Sequence, residues 1–376
     1  MTTPYWLDEP TDDFPRGDMK EHVDVGIVGA GVTGCACALA LAEAGVRVRV
    51  VDARMVAEGA SGRNGGFALR GTASPYDEVV ATVGRERALA LWRWTEDELD
   101  TIERLAGDAF RRVGSLRLAA DAEEREDLRD EIEGLWADGL EAIWIDAPTG
   151  PLEGRFTAAI RHPTDGVLQP ARWVRHLAAL AVAAGVELVE GQRISDPAEV
   201  RADTVVVATD GYPSGLLGEL EGLIVPTRGQ VIATEPLEER LFEVPHYGRN
   251  GFDYWHQAKD GRLVAGGFRD IAIDQEFTAD EDVTDPVQRS LERFVNDLAG
   301  RELRVDYRWA GIFGLVLDFL PVVGPVPRRD RTWVAGGYSG HGNVLGFACG
   351  RLVARAILGD RDPLLDLFEP ARLLGT

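Results

Sequence analysis

The chain has 376 residues, 45% of them apolar and 27% charged; this ordinary globular composition excludes a disordered or fibrous protein and leaves room for two domains. A formal net charge of −23 disfavours nucleic acid and anionic membrane surfaces as partners, since both need a basic footprint. Lys20 and Lys259 are the only lysines beside 38 arginines, so few positions could hold a catalytic lysine.

Residues 1–21 read as an extended polar arm with Tyr5, Trp6 and Phe14 as apolar pegs. The arm has no apolar stretch of a secretory signal, and no run in the chain approaches the ~18 apolar residues of a membrane span, so a cytoplasmic location is expected. His22–Val28 reads as a buried parallel strand and 32–44 as a helix of small residues closed by Gly45, followed by a strand, Val46–Val51, ending in Asp52. Cys35 and Cys37 in that helix read as small packing residues. With Cys349 they make neither a disulfide framework nor zinc spacing, and no metal site is expected. Residues 76–150 are helical with charged outer faces, and 172–184 is a further helix. Val186–Glu190 and Thr204–Ala208 are strands, the second stopping at Asp210-Gly211. Residues 223–270 alternate as strands with Asn250-Gly251 and Asp260-Gly261 as hairpin turns. A helix over 286–300, a short strand Trp333–Ala335, a glycine-rich loop and a helix over 343–358 complete the chain.

The implied fold is α/β: a Rossmann-like, doubly wound nucleotide-binding domain assembled from separated pieces, plus a second domain with a mostly antiparallel sheet and helices. The expected divisions are 1–80, 152–226 and 316–376 for the first domain and 81–151 and 227–315 for the second.

Gly29-Ala30-Gly31-Val32-Thr33-Gly34 follows a strand and opens a helix. Gly29 permits the tight turn, Gly31 lets a pyrophosphate approach the backbone, and Gly34 lets the helix pack closely; the helix N-terminus supplies N–H donors. Asp52, eighteen residues after Gly34, stands where a carboxylate accepts from ribose hydroxyls. Glu58-Gly-Ala-Ser-Gly-Arg-Asn-Gly-Gly-Phe-Ala-Leu-Arg70 offers a second glycine-rich wrap. Gly336-Gly-Tyr-Ser-Gly-His-Gly-Asn343 offers a third, at a helix N-terminus able to stabilise negative charge on a reduced flavin. With the strand end Ala208-Thr209-Asp210-Gly211, these segments fit a long cofactor clasped along its length.

GAGVTG with Asp52, GASGRNGGF, Pro226-Thr-Arg-Gly-Gln-Val-Ile-Ala-Thr-Glu-Pro236, Asp318-Phe-Leu-Pro-Val-Val-Gly-Pro325 and GGYSGHG together resemble the D-amino-acid-oxidase, glycine-oxidase and sarcosine-oxidase family of FAD oxidoreductases, most of all its γ-glutamylputrescine-oxidase-like branch. The resemblance implies one FAD and a small amine or amino-acid substrate. It also implies oxidation of a C–N bond to an imine by hydride transfer to flavin N5, hydrolysis of that imine, and electrons passed to O2 with formation of hydrogen peroxide. It implies cofactor contacts at Gly29, Ala30, Gly31, Val32, Thr33, Gly34, Asp52, Ala53 and Arg54, then at Gly59, Ala60, Ser61, Arg63, Asn64, Gly65, Gly66 and Phe67. Further contacts are implied at Ile194, Ala208, Thr209, Gly211, Gly337, Tyr338, Gly340, His341, Gly342, Asn343 and Val344.

The candidate catalytic residues are Arg70, Tyr254, His256 and His341. Arg70 matches the position where sarcosine-oxidase-like members hold the substrate carboxylate; the alternative is a surface arginine in an arginine-rich chain. Tyr254 and His256 share one face of their strand, with Trp255 on the other, and either orient an amine or pack the core. His341 either meets the flavin or caps a turn. The chain also departs from the family. Trp309–Leu317 has no cysteine for a covalent flavin link, so non-covalent FAD is expected. The strand matched to the oxygen-activating lysine of sarcosine oxidases reads Leu263-Val-Ala265, and Lys259 lies in a turn. A flavin dehydrogenase using a quinone or carrier protein, and a non-catalytic FAD-binding subunit, are therefore alternatives. Oligomeric state is left open.

Overall fold

The computed structural model describes residues 3–11, 13–15, 17–212 and 215–374. A six-stranded sheet runs in the order Val322–Pro325, Thr332–Gly336, Ala202–Val207, Val23–Val28, Val48–Val51, Glu187–Val189. Five of its strands are parallel, and Val322–Pro325 is an antiparallel edge. Its strands come from three separated stretches of chain, as the Rossmann-like reading requires. One sheet face, with Val25, Ile27, Val48, Val50 and Val206, packs into the main core beneath the helices Val32–Glu43, Pro170–Ala183 and Gly342–Ile357. The other face, with Val28, Val51, Val205 and Val207, is covered by Ile194, Leu216 and the single turn Pro197–Val200 rather than by long helices.

Helix Val32–Glu43 is apolar all round, so it is buried on every side. Its small residues let helix Gly342–Ile357 come unusually close. A Cβ on Gly350 would lie 2.3 Å from the Thr33 carbonyl oxygen and 3.1 Å from the Cys37 amide nitrogen. A Cβ on Gly346 would lie 2.9 Å from Thr33 Oγ1. Cys35, Cys37 and Cys349 pack in this same interface as free, buried thiols; burial pushes all three pKa values up, that of Cys37 to about 12.

An eight-stranded sheet forms the second layer, in the order Val305–Leu315, Val225–Pro236, Arg262–Gly267, Asp253–Gln257, His246–Gly248, Ser115–Ala119, Ala158–His162, Ile143–Ile145. Helix Asp285–Ala299 covers one face, laying Val287, Leu291, Val295 and Leu298 at helical spacing against Trp255, Leu263 and Ala265. The opposite face looks toward the glycine-rich loops. Arg117, Tyr247, Tyr254, Gly266 and Val231 are register partners on five adjacent strands and so form one row across that face.

Three features differ from the sequence reading. Strand Ala158–His162, expected with the nucleotide-binding pieces, pairs with Ser115–Ala119 in the eight-stranded sheet. The region 76–150 holds helices Tyr76–Val83, Arg85–Ala106 and Ala122–Ala137 but also strands at 110–111, 115–119 and 143–145. Phe67–Ala68, Gly166–Leu168 and Phe110–Arg111 form a small third sheet, with strands too short to show a period.

The close helix contact generates a test. Gly350→Ala should lower the melting temperature and the retained flavin together, because its Cβ meets fixed backbone. Gly218→Ala, with nothing within 4 Å of its Cβ position, should change neither. Thermal melts and flavin absorbance of the two purified variants check this.

Candidate cofactor and substrate site

At the first glycine loop, Gly29 adopts φ 113°, and a Cβ there would lie 2.5 Å from the Ala208 carbonyl oxygen. A Cβ on Gly34 would fall 1.9 Å from the Gly29 carbonyl oxygen, so the helix could not start so close to the sheet with any other residue. Gly31 is the extended N-cap and has no capping side chain of its own; Ser61 Oγ accepts the Val32 amide at 3.0 Å instead. Asp52 Oδ2 accepts from the Ala30 amide at 2.6 Å and Oδ1 from the Arg54 amide at 2.8 Å. Burial raises the Asp52 carboxyl above its ordinary value, and these two amides act in the opposite direction.

The second and third loops are clipped to each other. The side-chain amides of Asn64 and Asn343 exchange two hydrogen bonds of 3.0 Å, and Asn343 also donates to the Phe67 carbonyl at 2.7 Å. Tyr338 and Thr33 join their hydroxyls at 2.8 Å across the buried helix interface. Asp210, a residue whose role the sequence did not reveal, accepts from the Gly337 amide at 2.7 Å and the Gly314 amide at 3.1 Å. It thereby ties the Ala208-Thr209-Asp210-Gly211 strand end to the Gly337 loop and to the end of strand Val305–Leu315. Gly340 adopts φ 96° with open space at its Cβ position. His341 is the N-cap of helix Gly342–Ile357 without a side-chain cap, and Val344 is buried in its first turn. Two helix N-termini, each lacking a cap from its own N-cap residue, thus lie side by side, and apart from the Val32 amide held by Ser61 their first-turn N–H groups suit an anionic or electron-rich partner.

The remaining expected cofactor residues divide into two groups. Gly59 faces the Tyr212 ring, Ala60–Arg63 forms a single helical turn, and Ala53 is exposed. Arg54 stacks over Tyr212 and pairs with Glu281 at 2.8 Å; Arg63 reaches Glu281 at 3.6 Å, and Tyr212 donates to it at 2.6 Å. Glu281 thus links the second domain to the cofactor loops, a contact no sequence motif announced. Gly65, Gly66 and Phe67 press against the sheet face: a Cβ on Gly65 would meet the Tyr254 ring at 2.8 Å. Ile194 lies instead in the core on the far side of the parallel sheet, near the Asp52 end.

Tyr254 and His256 face the glycine loop, and Trp255 is buried against helix Asp285–Ala299. His256 Nε2 donates to the Gly65 carbonyl at 2.9 Å, and its ring stacks on Trp6 at 5.8 Å. Burial pushes its pKa down to about 4, so the ring is neutral at neutral pH and its Nε2 is taken up by the loop carbonyl. Burial also takes His341 to about 4, so neither histidine supplies a cation at neutral pH.

Arg70 requires a correction. In place of an open carboxylate anchor, its buried guanidinium pairs with Glu96 at 2.5 Å, donates to the Glu141 carbonyl at 2.7 Å and contacts His162 Nδ1 at 3.2 Å. Its amide also donates to Asp165 at 3.0 Å. The cation is neutralised where the small third sheet meets helix Arg85–Ala106.

This arrangement has clear relatives. Residues 24–356 match the family described as DAO, FAD dependent oxidoreductase. The chain belongs to that family. It is 29% identical to the probable oxidoreductase OrdL of Haemophilus influenzae, over 97% of this chain and 90% of that protein. It is 29% identical to γ-glutamylputrescine oxidoreductase of Escherichia coli, over 96% and 90%. Its fold superposes on glycine oxidase from Bacillus cereus with a TM-score of 0.75 and 20% identity, covering 92% and 97% of the two chains. It is an FAD-dependent oxidoreductase with a Rossmann-like FAD-binding domain. The residues present suit that cofactor: a carboxylate for ribose, a glycine cradle that any Cβ would fill, and two helix N-termini.

Two tests follow. Arg70→Met should destabilise the protein by about 3–5 kcal/mol, because Glu96 loses its partner in a largely buried site. The Arg70→Met/Glu96→Met double variant should recover much of that loss in urea melts. Wild-type stability with weakened substrate binding would instead return Arg70 to the substrate site. For His256, the folded pKa of about 4 lies below the unfolded value of about 6.5, so its contribution is complete above pH 6.5 and declines toward pH 4. The stability of His256→Gln relative to wild type should therefore improve on acidification by up to about 3 kcal/mol.

Proposed function

We propose that the protein oxidises the C–N bond of a small amine or amino acid to an imine, which water then hydrolyses. The observation that carries this reading is the convergence of two helix N-termini and the Asn64–Asn343 clip on the sheet face bearing Tyr254. Bound FAD supplies the hydride acceptor. The chain's residues bind and orient. Asp52 would accept from the ribose hydroxyls, and the N-terminus of helix Val32–Glu43 would meet the pyrophosphate. The N-terminus of helix Gly342–Ile357 favours negative charge on the reduced ring system. Tyr254 offers an edge and a hydroxyl to the amine end of a substrate; burial raises its pKa to about 12, so it acts as a neutral hydrogen-bonding group. Held at about 3–3.5 Å, a substrate C–H is in near-attack position, and no general acid or base need act on carbon.

FAD is read as non-covalent, since all three thiols are buried in the helix interface. The fate of the electrons divides the oxidase from the dehydrogenase. Leu263, Val264 and Ala265 make the central strand apolar, Lys259 is exposed in its turn, and both nearby histidines are neutral. With no lysine and no charged histidine on this strand among the described residues, these features favour a quinone or carrier protein as acceptor over O2.

Anaerobic mixing with a panel of small amines and amino acids should bleach the flavin absorbance with at least one of them. Bleaching by none would contradict the oxidoreductase reading of this site. Acid precipitation should leave the yellow colour in the supernatant, whereas colour in the pellet would show a covalent link. In stopped-flow, reduced protein should reoxidise slowly in aerated buffer and quickly with a quinone analogue. Fast reoxidation by O2 alone would establish an oxidase.

A further inference from the structure

Three of the segments that clasp the cofactor site meet at one carboxylate from outside them. Glu281 lies in the irregular stretch between the single helical turn Ile273–Glu276 and helix Asp285–Ala299. Its Oε1 accepts from Arg54, two residues past Asp52, at 2.8 Å. The same oxygen accepts at 2.6 Å from the hydroxyl of Tyr212, which follows the Ala208–Gly211 strand end. Its Oε2 lies 3.6 Å from Arg63 of the second glycine loop. These partners also hold one another. Arg54 stacks over the Tyr212 ring at 4.9 Å, and Arg54 and Arg63 both donate to the Glu58 carbonyl, at 3.3 and 2.7 Å. The Tyr212 ring in turn lies 3.4 Å from the position a Cβ on Gly59 would take.

The stretch that carries Glu281 is built as a strap. Both its ends are bonded to strand Val225–Pro236. Arg228 forms a buried pair with Glu276 at 2.8 Å and donates to the Asp282 carbonyl at 2.8 Å, while Gln230 exchanges bonds of 2.9 and 2.7 Å with Thr284. Between these anchors, residues 277–284 form no helix or strand. Asp280 and Asp282 are exposed, and the Glu281 side chain between them is largely buried against its partners. The strap is thus fixed to the sheet independently of Glu281. That side chain can release its partners in a local opening while the anchors stay in place. The Thr33–Tyr338 bond, by contrast, is buried inside the packed helix pair.

We propose that Glu281 is a latch on flavin exchange: its bonds to Arg54, Arg63 and Tyr212 hold the cofactor loops together, and FAD enters or leaves after they break. This rests on the reading of these loops as the FAD site. A long cofactor wrapped by separate segments passes between them when the segments part. The latch bonds join protein groups to one another, so they close the loops before FAD arrives as well as after, and they slow entry and exit alike. They are charge-assisted and shielded from water, which makes them stronger than ordinary neutral hydrogen bonds.

The test uses the flavin-loaded protein. Exchange of bound FAD for excess radiolabelled FAD gives the release rate, and the flavin freed on dilution gives the dissociation constant; their quotient is the association rate. Glu281→Gln keeps the side chain's size and removes its charge. It should raise release and association about tenfold each and leave the dissociation constant within about threefold. Tyr212→Phe removes one bond to the same carboxylate and should raise both rates about threefold; it carries the test if Glu281→Gln is unstable. Asp282→Asn makes the same charge change at the exposed neighbour and should leave both rates within about twofold. Faster release with unchanged association would make Glu281 a brace of the bound state and overturn the latch, as would unchanged rates or an equal effect of Asp282→Asn. None of these failures touches the FAD site itself, which stands or falls separately on whether Gly31→Asp loses its flavin.

Discussion

Helix Val32–Glu43 and helix Gly342–Ile357 approach so closely that Gly346 and Gly350 have no room for a Cβ, and the rest of the site depends on that contact. Two segments some three hundred residues apart are locked with their N-termini adjacent, and the Tyr338–Thr33 hydroxyl bond closes the seam. The glycine loops that lead into the helices are then near enough for Asn64 to meet Asn343. Asp210 adds the third anchor by holding the amides of Gly337 and Gly314. Backbone positions, rather than long side chains, therefore set the geometry of the cofactor site. Such positions cost no side-chain entropy to order and tolerate little substitution.

Charge is distributed by the same economy. The chain carries a large excess of acid, yet its arginines form dense pairs with carboxylates at the domain boundary, as at Glu281 and Glu96. Among the glycine loops the histidines are neutral, so positive potential there comes from the two helix ends. That is a setting for stabilising charge on a reduced cofactor.

Much of this was legible in the sequence because it rests on local chemistry. The strand, GAGVTG turn and small-residue helix form one continuous pattern, and the alternation of Tyr254, Trp255 and His256 follows from strand geometry alone. Contacts between distant segments were not legible. Arg70 follows a glycine clasp in sequence, but Glu96 and His162, which decide its role, come from other elements. Strand Ala158–His162 joins the antiparallel sheet through pairing with residues some forty positions earlier. Trp6 was visible as an apolar peg; its stacking on His256 and its bond to the Asn64 carbonyl were not.

The central claim is that the Gly29–Gly34 turn and its helix N-terminus hold the cofactor's pyrophosphate. Gly31→Asp tests it most directly, because the new side chain puts both bulk and negative charge at that N-terminus, where a Cβ already lies 2.9 Å from Ser61 Oγ. The variant, purified with excess FAD and then desalted, should keep the wild-type circular dichroism spectrum and show no flavin absorbance. A folded Gly31→Asp protein carrying one equivalent of FAD would contradict the account.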